Sequence, residues 1–152
     1  MASIATSVEI ARNPEDVFAY ITDVPRHTEW QEGLVSATLE TEGPVGVGSR
    51  VMHRRKLGFG TVSTTSEITA FSPPEVLGFK GLDGPIRAEG SQRVERVGGG
   101  SRVSFAMEMR GHGLGTLMLP MARRQAARQV AASHEKLKRI LEGGSPEQAP
   151  RS

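Results

Sequence analysis

"LGTLMLPMARRQAARQVAASHEKLKRIL", residues Leu114–Leu141, is the stretch that decides the fold. From its middle onward, residues suited to a protein interior recur at spacings of three and four: Ala126, Val130, His134, Leu137 and Leu141. This period is typical of a helix with one buried face. A glycine pair at positions 143 and 144 favours the end of that helix. A single long helix with one apolar face must pack on a surface that the rest of the chain supplies.

Seven segments before this helix have the alternation or the composition of strands and are separated by glycine- and proline-rich turns: Ser3–Ala11, Leu34–Glu42, Arg50–Leu57, Gly60–Phe71, Val76–Lys80, Ile86–Val97 and Arg102–Arg110. Short turns between consecutive strands indicate an antiparallel sheet. After the first strand, Asn13 and Pro14 favour a helix start, and a second short turn, Arg26–Gln31, carries the only tryptophan, Trp30. We therefore predict an α+β fold, a curved antiparallel sheet of about seven strands wrapped around the C-terminal helix, with two short helices after strand one.

Composition limits the classes of function. The 152 residues suit one domain, predicted over residues 1–143, followed by a disordered polar tail at 144–152. Lys and Arg total 19 against 17 Asp and Glu, with no long basic block, so we do not expect a nucleic-acid partner. The absence of cysteine excludes disulfides and thiolate ligands. No signal peptide or membrane span is evident, and arginine predominates among the basic residues. We expect a cytoplasmic, bacterial protein without cofactor or metal.

The most polar predicted strand, "RVMHRRKL" at Arg50–Leu57, holds the candidate catalytic residues. If Val51 faces inward, alternation also turns His53 and Arg55 inward. His53 would then be the candidate general acid or base and Arg55 the group that holds a developing enolate or a carboxylate. An inward Arg55 requires an acidic partner, a water-filled cavity or an anionic ligand. The opposite register, or a solvated strand at the sheet edge, stays open as an alternative.

The other candidate residues would form the wall of a ligand cavity. Strand parity turns several apolar and polar side chains inward, methionines can adapt to varied ligands, and small residues on the helix leave space. Ordinary core packing and a solvated helix face are the alternatives for these positions. The predicted ligand-binding residues are Trp30, Thr64, Ser66, Phe79, Gln92, Phe105, Met107, His112, Met118, Ala122 and Gln125.

Three of the histidines and the tryptophan have further interpretations. Trp30 either closes one end of the cavity or anchors the short helices to the core. His112 lies between glycines and is either part of a gate or an exposed loop residue. We expect His27 at the surface and His134 packed on the helix stripe. No histidine spacing predicts a metal site.

Five stretches of the chain resemble the START-like (SRPBCC) superfamily, and within it the polyketide cyclase/dehydrase branch: Val8–Trp30, Gly43–Arg50, Glu67–Lys80, Val94–Glu108 and Gly113–Glu142. The resemblance implies the helix-grip fold, with a cavity between sheet and long helix that the short helix pair closes at one end. Members of the superfamily include cyclases and dehydratases of aromatic polyketides, lipid carriers, sequestering proteins and ribosome-associated proteins. The fold does not choose among these functions.

The resemblance implies a protein that binds a small hydrophobic molecule, polyketide-like or a lipid, as in lipid transport. The first alternative is a polyketide cyclase or dehydratase that uses the same cavity, so whether this chain is an enzyme stays open. The second is a protein-interaction module of the ribosome-associated type. Polar cavity groups with shifted pKa values would favour the enzyme, and a filled interior with an exposed apolar patch would favour the interaction module. We expect a monomer or a weak homodimer.

Overall fold

The computed structural model describes residues 2–57 and 60–143, so the predicted tail at 144–152 lies outside the described residues. A short 3₁₀ turn, Val24–Arg26, precedes the second helix. The elements follow in the order β1 (Ala2–Ile10), α1 (Pro14–Ile21), α2 (His27–Trp30), β2 (Leu34–Leu39), β3 (Arg50–Leu57), β4 (Gly60–Ser72), β5 (Val76–Gly81), β6 (Ile86–Val97), β7 (Gly100–Gly111) and α3 (Gly115–Leu141).

The strands form one antiparallel sheet in the order β1-β7-β6-β5-β4-β3-β2. The register shifts in β2 between Leu34 and Ser36 and in β4 between Ile68 and Ala70. Such bulges bend a strand and increase its twist, which helps the sheet to curve around a helix. The predicted α+β fold with a seven-stranded antiparallel sheet and a long C-terminal helix is confirmed.

Local sequence signals account for the element that follows β1. The Asn13 side chain accepts a hydrogen bond from the backbone N–H of Asp16 at 2.8 Å, and Pro14 occupies the first position of α1. These contacts satisfy a donor that the first helical turn otherwise leaves unpaired. Val17, Phe18 and Ile21 form the buried face of α1. The predicted start of this helix is confirmed.

The interior is filled unevenly along α3. Leu137, Ile140 and Leu141 pack tightly against the buried faces of β1, β6, β7 and α1. The first half of the same helix presents Ala122 and Ala126 to the sheet. Because alanine side chains are short, they leave the sheet and this half of the helix separated by open space.

Candidate functional site

A cavity of about 290 Å³ lies between the concave face of the sheet and the first half of α3. Its walls are mostly apolar, with a small number of polar groups. Trp30, at the end of α2, is buried and lines the cavity, so this short helix closes one side of it. A mostly apolar cavity with a few polar groups is typical of a small-molecule binding site.

Most of the predicted site residues meet at this cavity. Of the alternatives left open for β3, the structure has the register that turns His53 and Arg55 inward, and strand parity placed the residues of β4 to β7 on the correct face. The candidates that line the cavity are Trp30, His53, Arg55, Thr64, Ser66, Phe79, Gln92, Phe105, Met107, Met118 and Ala122. Their contact with a ligand stays a prediction.

Two predicted residues are not part of the cavity wall. His112 is exposed in the short segment between β7 and α3. Gln125 does not line the cavity, and Gln129, one turn later, lines it instead. The Gln129 amide also donates to the Lys56 carbonyl at 3.2 Å, which ties α3 to the end of β3. Gln129 follows Ala122 by two helical turns and so lies on the same, cavity-facing side of α3.

A chain of hydrogen bonds joins two histidines to the end of α1. His27 Nε2 lies 2.8 Å from the Ile21 carbonyl oxygen, and His27 Nδ1 lies 3.2 Å from His53 Nε2. A carbonyl oxygen can only accept, so His27 donates to it and accepts at Nδ1 from the N–H of His53. His53 Nδ1 is therefore left as an acceptor. Ile21 is the last residue of α1, where the helix dipole favours a donor that carries positive charge.

Both histidines of this pair are neutral at pH 7. Burial lowers the pKa of His27 to about 4, and the nearby Arg55 adds to the lowering. Burial also lowers the pKa of His53 to about 3, with further contributions from the positive forms of His27 and Arg55. The two rings stack with their centroids 5.4 Å apart. Placing a proton on either ring therefore requires a compensating negative charge nearby.

Arg55 brings a positive charge to the cavity wall without a carboxylate partner in the described part of the chain. Its Nη2 donates to Gln31 Oε1 at 2.8 Å, and its Nη1 donates to the Glu32 carbonyl oxygen at 3.4 Å. Burial lowers the pKa of Arg55, but a guanidinium stays charged at neutral pH. Neutral oxygen partners orient the group and leave its charge available to a ligand.

Three buried polar atoms beside the cavity have no hydrogen-bond partner among the described residues: Trp30 Nε1, Gln92 Oε1 and His134 Nδ1. Buried polar atoms are normally paired, so each is a place where a ligand group or a water would be stabilised. His134 is 4% exposed and packs edge-on against Phe105, with ring centroids 6.3 Å apart. Burial lowers the pKa of His134 to about 4. The expected packing of His134 on the helix stripe is confirmed.

The expectation that His27 lies at the surface is wrong. His27 is 7% exposed and lines the cavity beside His53. It precedes Trp30 by three positions in α2, and residues three apart share one face of a helix. Since Trp30 is buried, His27 is buried with it, and its ring meets that of Trp30 edge-on with centroids 6.1 Å apart. The spacing of these two residues is the signal that could have placed His27 at the site.

No helix in residues 2–57 and 60–143 combines the length and apolarity that crossing a bilayer requires. Across the same residues, no three histidine or acidic side chains converge as metal ligands.

Several solved structures share this fold at low sequence identity. The protein TTHA0849 from Thermus thermophilus is 16% identical, with a TM-score of 0.78 over 91% of this chain and 96% of that one. DR_A0006 from Deinococcus radiodurans is 19% identical, with a TM-score of 0.69 over 92% and 97% of the two chains. The Zhui aromatase/cyclase from a Streptomyces species is 16% identical, with a TM-score of 0.70 over 94% and 98%. These similarities establish the fold.

No curated protein matches the sequence significantly. The family model described as polyketide cyclase / dehydrase and lipid transport matches residues 1–142, which is almost the whole chain. The predicted resemblance to the START-like polyketide cyclase/dehydrase branch is confirmed, and this chain belongs to the polyketide cyclase / dehydrase and lipid transport family.

Proposed function

We propose that this protein binds a small hydrophobic molecule, polyketide-like or a lipid, whose anionic or strongly electron-rich end lies against Arg55. The observation that carries the proposal is the mostly apolar cavity with a guanidinium that no carboxylate neutralises in the described part of the chain. The family match to lipid-transport and polyketide-processing proteins is consistent with such a ligand.

The energetics favour an amphipathic ligand over a purely apolar one. Apolar contacts with the walls contribute roughly 25 cal/mol for each Å² removed from water. A cation that is taken from water without a counter-charge is costly, and an anionic ligand group offsets that cost. Arg55 is held by Gln31 and Glu32 before any ligand arrives. A preorganised donor loses little side-chain entropy when it binds.

The test compares a medium-chain fatty acid with the alcohol of the same chain length. Binding is followed by native mass spectrometry and by the emission of Trp30, the only tryptophan. We expect the acid to bind more tightly. Arg55→Gln should lower the affinity for the fatty acid by roughly ten- to a hundred-fold, the range of a charged hydrogen bond. It should leave the affinity for the alcohol almost unchanged.

Arg54→Gln is the matched control, because Arg54 is the next residue of β3 and is exposed. It should bind both probes like the unaltered protein. Failure of both probes to add mass or to change Trp30 emission would contradict binding in this cavity. Equal affinities for acid and alcohol would contradict the role of Arg55 while leaving a hydrophobic site.

The hydrogen-bonded pair His27–His53 beside Arg55 favours a second function, a polyketide cyclase or dehydratase. In this mechanism His53 Nδ1 takes a proton from a carbon next to a ketone, and Arg55 donates to the resulting enolate oxygen. The positive charge on His53 is spread through His27 to the carbonyl of Ile21. A pKa of about 3 makes His53 a weak base in the empty cavity, and an adjacent enolate would raise that pKa.

A panel of poly-β-ketone substrates tests this second function. Turnover that disappears in His53→Ala, while binding by native mass spectrometry persists, would support the cyclase or dehydratase. An absence of turnover across the panel, with binding intact, would leave a carrier or sequestering protein.

A further inference from the structure

The start of α3 exposes three large apolar side chains on one face. Leu114, just before the helix, is 78% exposed, Leu117 is 81% exposed and Met121 is 67% exposed. Their spacings of three and four place them in adjacent helical turns. Single exposed apolar residues are ordinary at protein surfaces, but a contiguous group marks an interaction site.

Arginines without acidic partners lie on the next turns of α3, where Arg124 and Arg128 follow Met121 by three and seven positions and share its face, while Arg123 lies on a different side of the helix. Arg123, Arg124 and Arg128 are exposed, and none forms an ion pair within the described part of the chain. They line a shallow groove between α3 and β1, which is an edge strand of the sheet. From position 109 to position 134 the sequence contains four arginines and no aspartate or glutamate. This surface is therefore both apolar and uniformly cationic.

We propose that this surface, formed by Leu114, Leu117, Met121, Arg124 and Arg128 and here called the α3 docking face, binds the surface of an anionic lipid membrane. Apolar side chains would enter the boundary between headgroups and acyl chains, and the arginines would contact lipid phosphates. The proposal rests on the exposed surface alone and does not depend on the identity of the cavity ligand.

The charge of the α3 docking face argues against a second copy of the chain as its partner. In a symmetric dimer the same patch meets itself, so the unpaired arginines of both copies would face one another. Like charges brought together at an interface are destabilising. A membrane rich in anionic lipid supplies both the apolar layer and the negative charge that this face requires.

The docking face adjoins the cavity wall. Met118 follows Leu117 directly and lines the cavity, while Leu117 points into solvent. Docking at this face would bring the first turns of α3 to the lipid surface. A hydrophobic ligand could then pass between membrane and cavity over a short distance.

The experiment measures co-flotation of the full chain with vesicles of phosphatidylcholine alone or with one-third phosphatidylglycerol. We expect binding to the anionic vesicles at about 0.1 M salt, weaker binding to the neutral ones, and a large loss at about 1 M salt. Arg124→Gln/Arg128→Gln should weaken binding about twenty-five-fold, at roughly five-fold for each arginine. Leu117→Ser/Met121→Ser should weaken it about ten-fold or more.

Matched controls lie elsewhere on the surface. Val47→Ser alters an apolar side chain that is 69% exposed. It lies in the turn between β2 and β3, at the edge of the sheet opposite β1. Arg54→Gln removes an exposed arginine from β3. Both should bind anionic vesicles like the unaltered protein. Because all altered side chains are exposed, the melting temperatures should stay unchanged, which separates loss of docking from loss of fold.

Three results would overturn the proposal. The first is an unaltered protein that floats with neither vesicle. The second is equal binding by the docking-face variants and the controls. The third is a lipid-independent dimer, seen by analytical ultracentrifugation and abolished by Leu117→Ser/Met121→Ser, in a protein that vesicles do not capture. That last result would assign the face to self-association.

Discussion

His134 gives the sharpest test of how dry the interior is around the cavity. Its pKa is lowered from 6.5 to about 4, and burial is the cause. A group whose neutral form is favoured in the folded state binds a proton only at a lower pH than it does in the unfolded chain. The contribution of His134 to stability is therefore complete above pH 6.5 and is lost as the pH falls toward 4. At pH 5 the lost contribution amounts to about 2 kcal/mol.

The substitution His134→Gln removes the titrating group and should reduce the pH dependence by that amount. Urea unfolding followed by circular dichroism, at pH 7 and at pH 5, gives the free energy of unfolding for each protein. The decrease between the two pH values should be about 2 kcal/mol smaller in the variant than in the unaltered protein. Any loss at both pH values that comes from a buried amide cancels in this difference.

His112→Gln is the control, because the same substitution is made at an exposed histidine. It should retain the pH dependence of the unaltered protein. The window stops at pH 5 because most carboxylates titrate below it. If His134→Gln showed the full decrease of the unaltered protein, His134 would be protonated in the folded state and the region around Phe105 would be hydrated. The argument from burial would then be refuted.

Further substitutions test the packing and two side-chain hydrogen bonds by the same unfolding measurement. Leu137→Ala removes a fully buried side chain from the packed half of α3 and should cost about 2–5 kcal/mol, whereas Leu117→Ala on the exposed face should change stability by less than about 0.5 kcal/mol; similar losses at both would contradict the division of the helix into packed and exposed sides. Asn13→Ala deletes the side-chain acceptor at the start of α1 and should cost about 1 kcal/mol; an Asp at this position should restore most of it. Ser133→Ala leaves the backbone N–H of Glu32 without its acceptor at 2.7 Å and should cost about 1–3 kcal/mol; an unaffected free energy would mean that water replaces the hydroxyl.

The sequence was most informative where a side-chain period applied. Alternation along β3 placed His53 and Arg55 on the same face as Val51, and the structure turns that face inward. Alternation could not predict whether an inward Arg55 contacts an acid, a ligand or water, because its partners come from residues elsewhere in the chain. Its hydrogen-bond acceptors, Gln31 and Glu32, belong to the segment after α2, and the position of that segment depends on the tertiary structure.

Helical residues were harder to place than those of strands. Neighbouring positions on a helix differ by about 100°, so a small error in the orientation of α3 exchanged Gln125 for Gln129. His27 was misplaced for a different reason. Polar residues in a short turn resemble a solvated surface, and only the burial of Trp30 three positions later turns His27 inward. The size of the cavity could not be predicted, since it depends on how far Ala122 and Ala126 hold the helix from the sheet.

The uneven packing along α3 has a consequence for how a ligand reaches an enclosed space. The half of α3 that contains Leu137 and Ile140 packs in the main core, so it should separate from the sheet only when the whole domain unfolds. The half that contains Ala122 makes fewer large side-chain contacts with the sheet and would break fewer of them when it moves. Opening of the first turns should therefore require much less free energy than unfolding. Backbone amides near Met118 should exchange with solvent sooner than those near Leu137, and a bound ligand should slow the former more. The C-terminal half of α3 should therefore stay packed while its first turns open locally and admit the ligand.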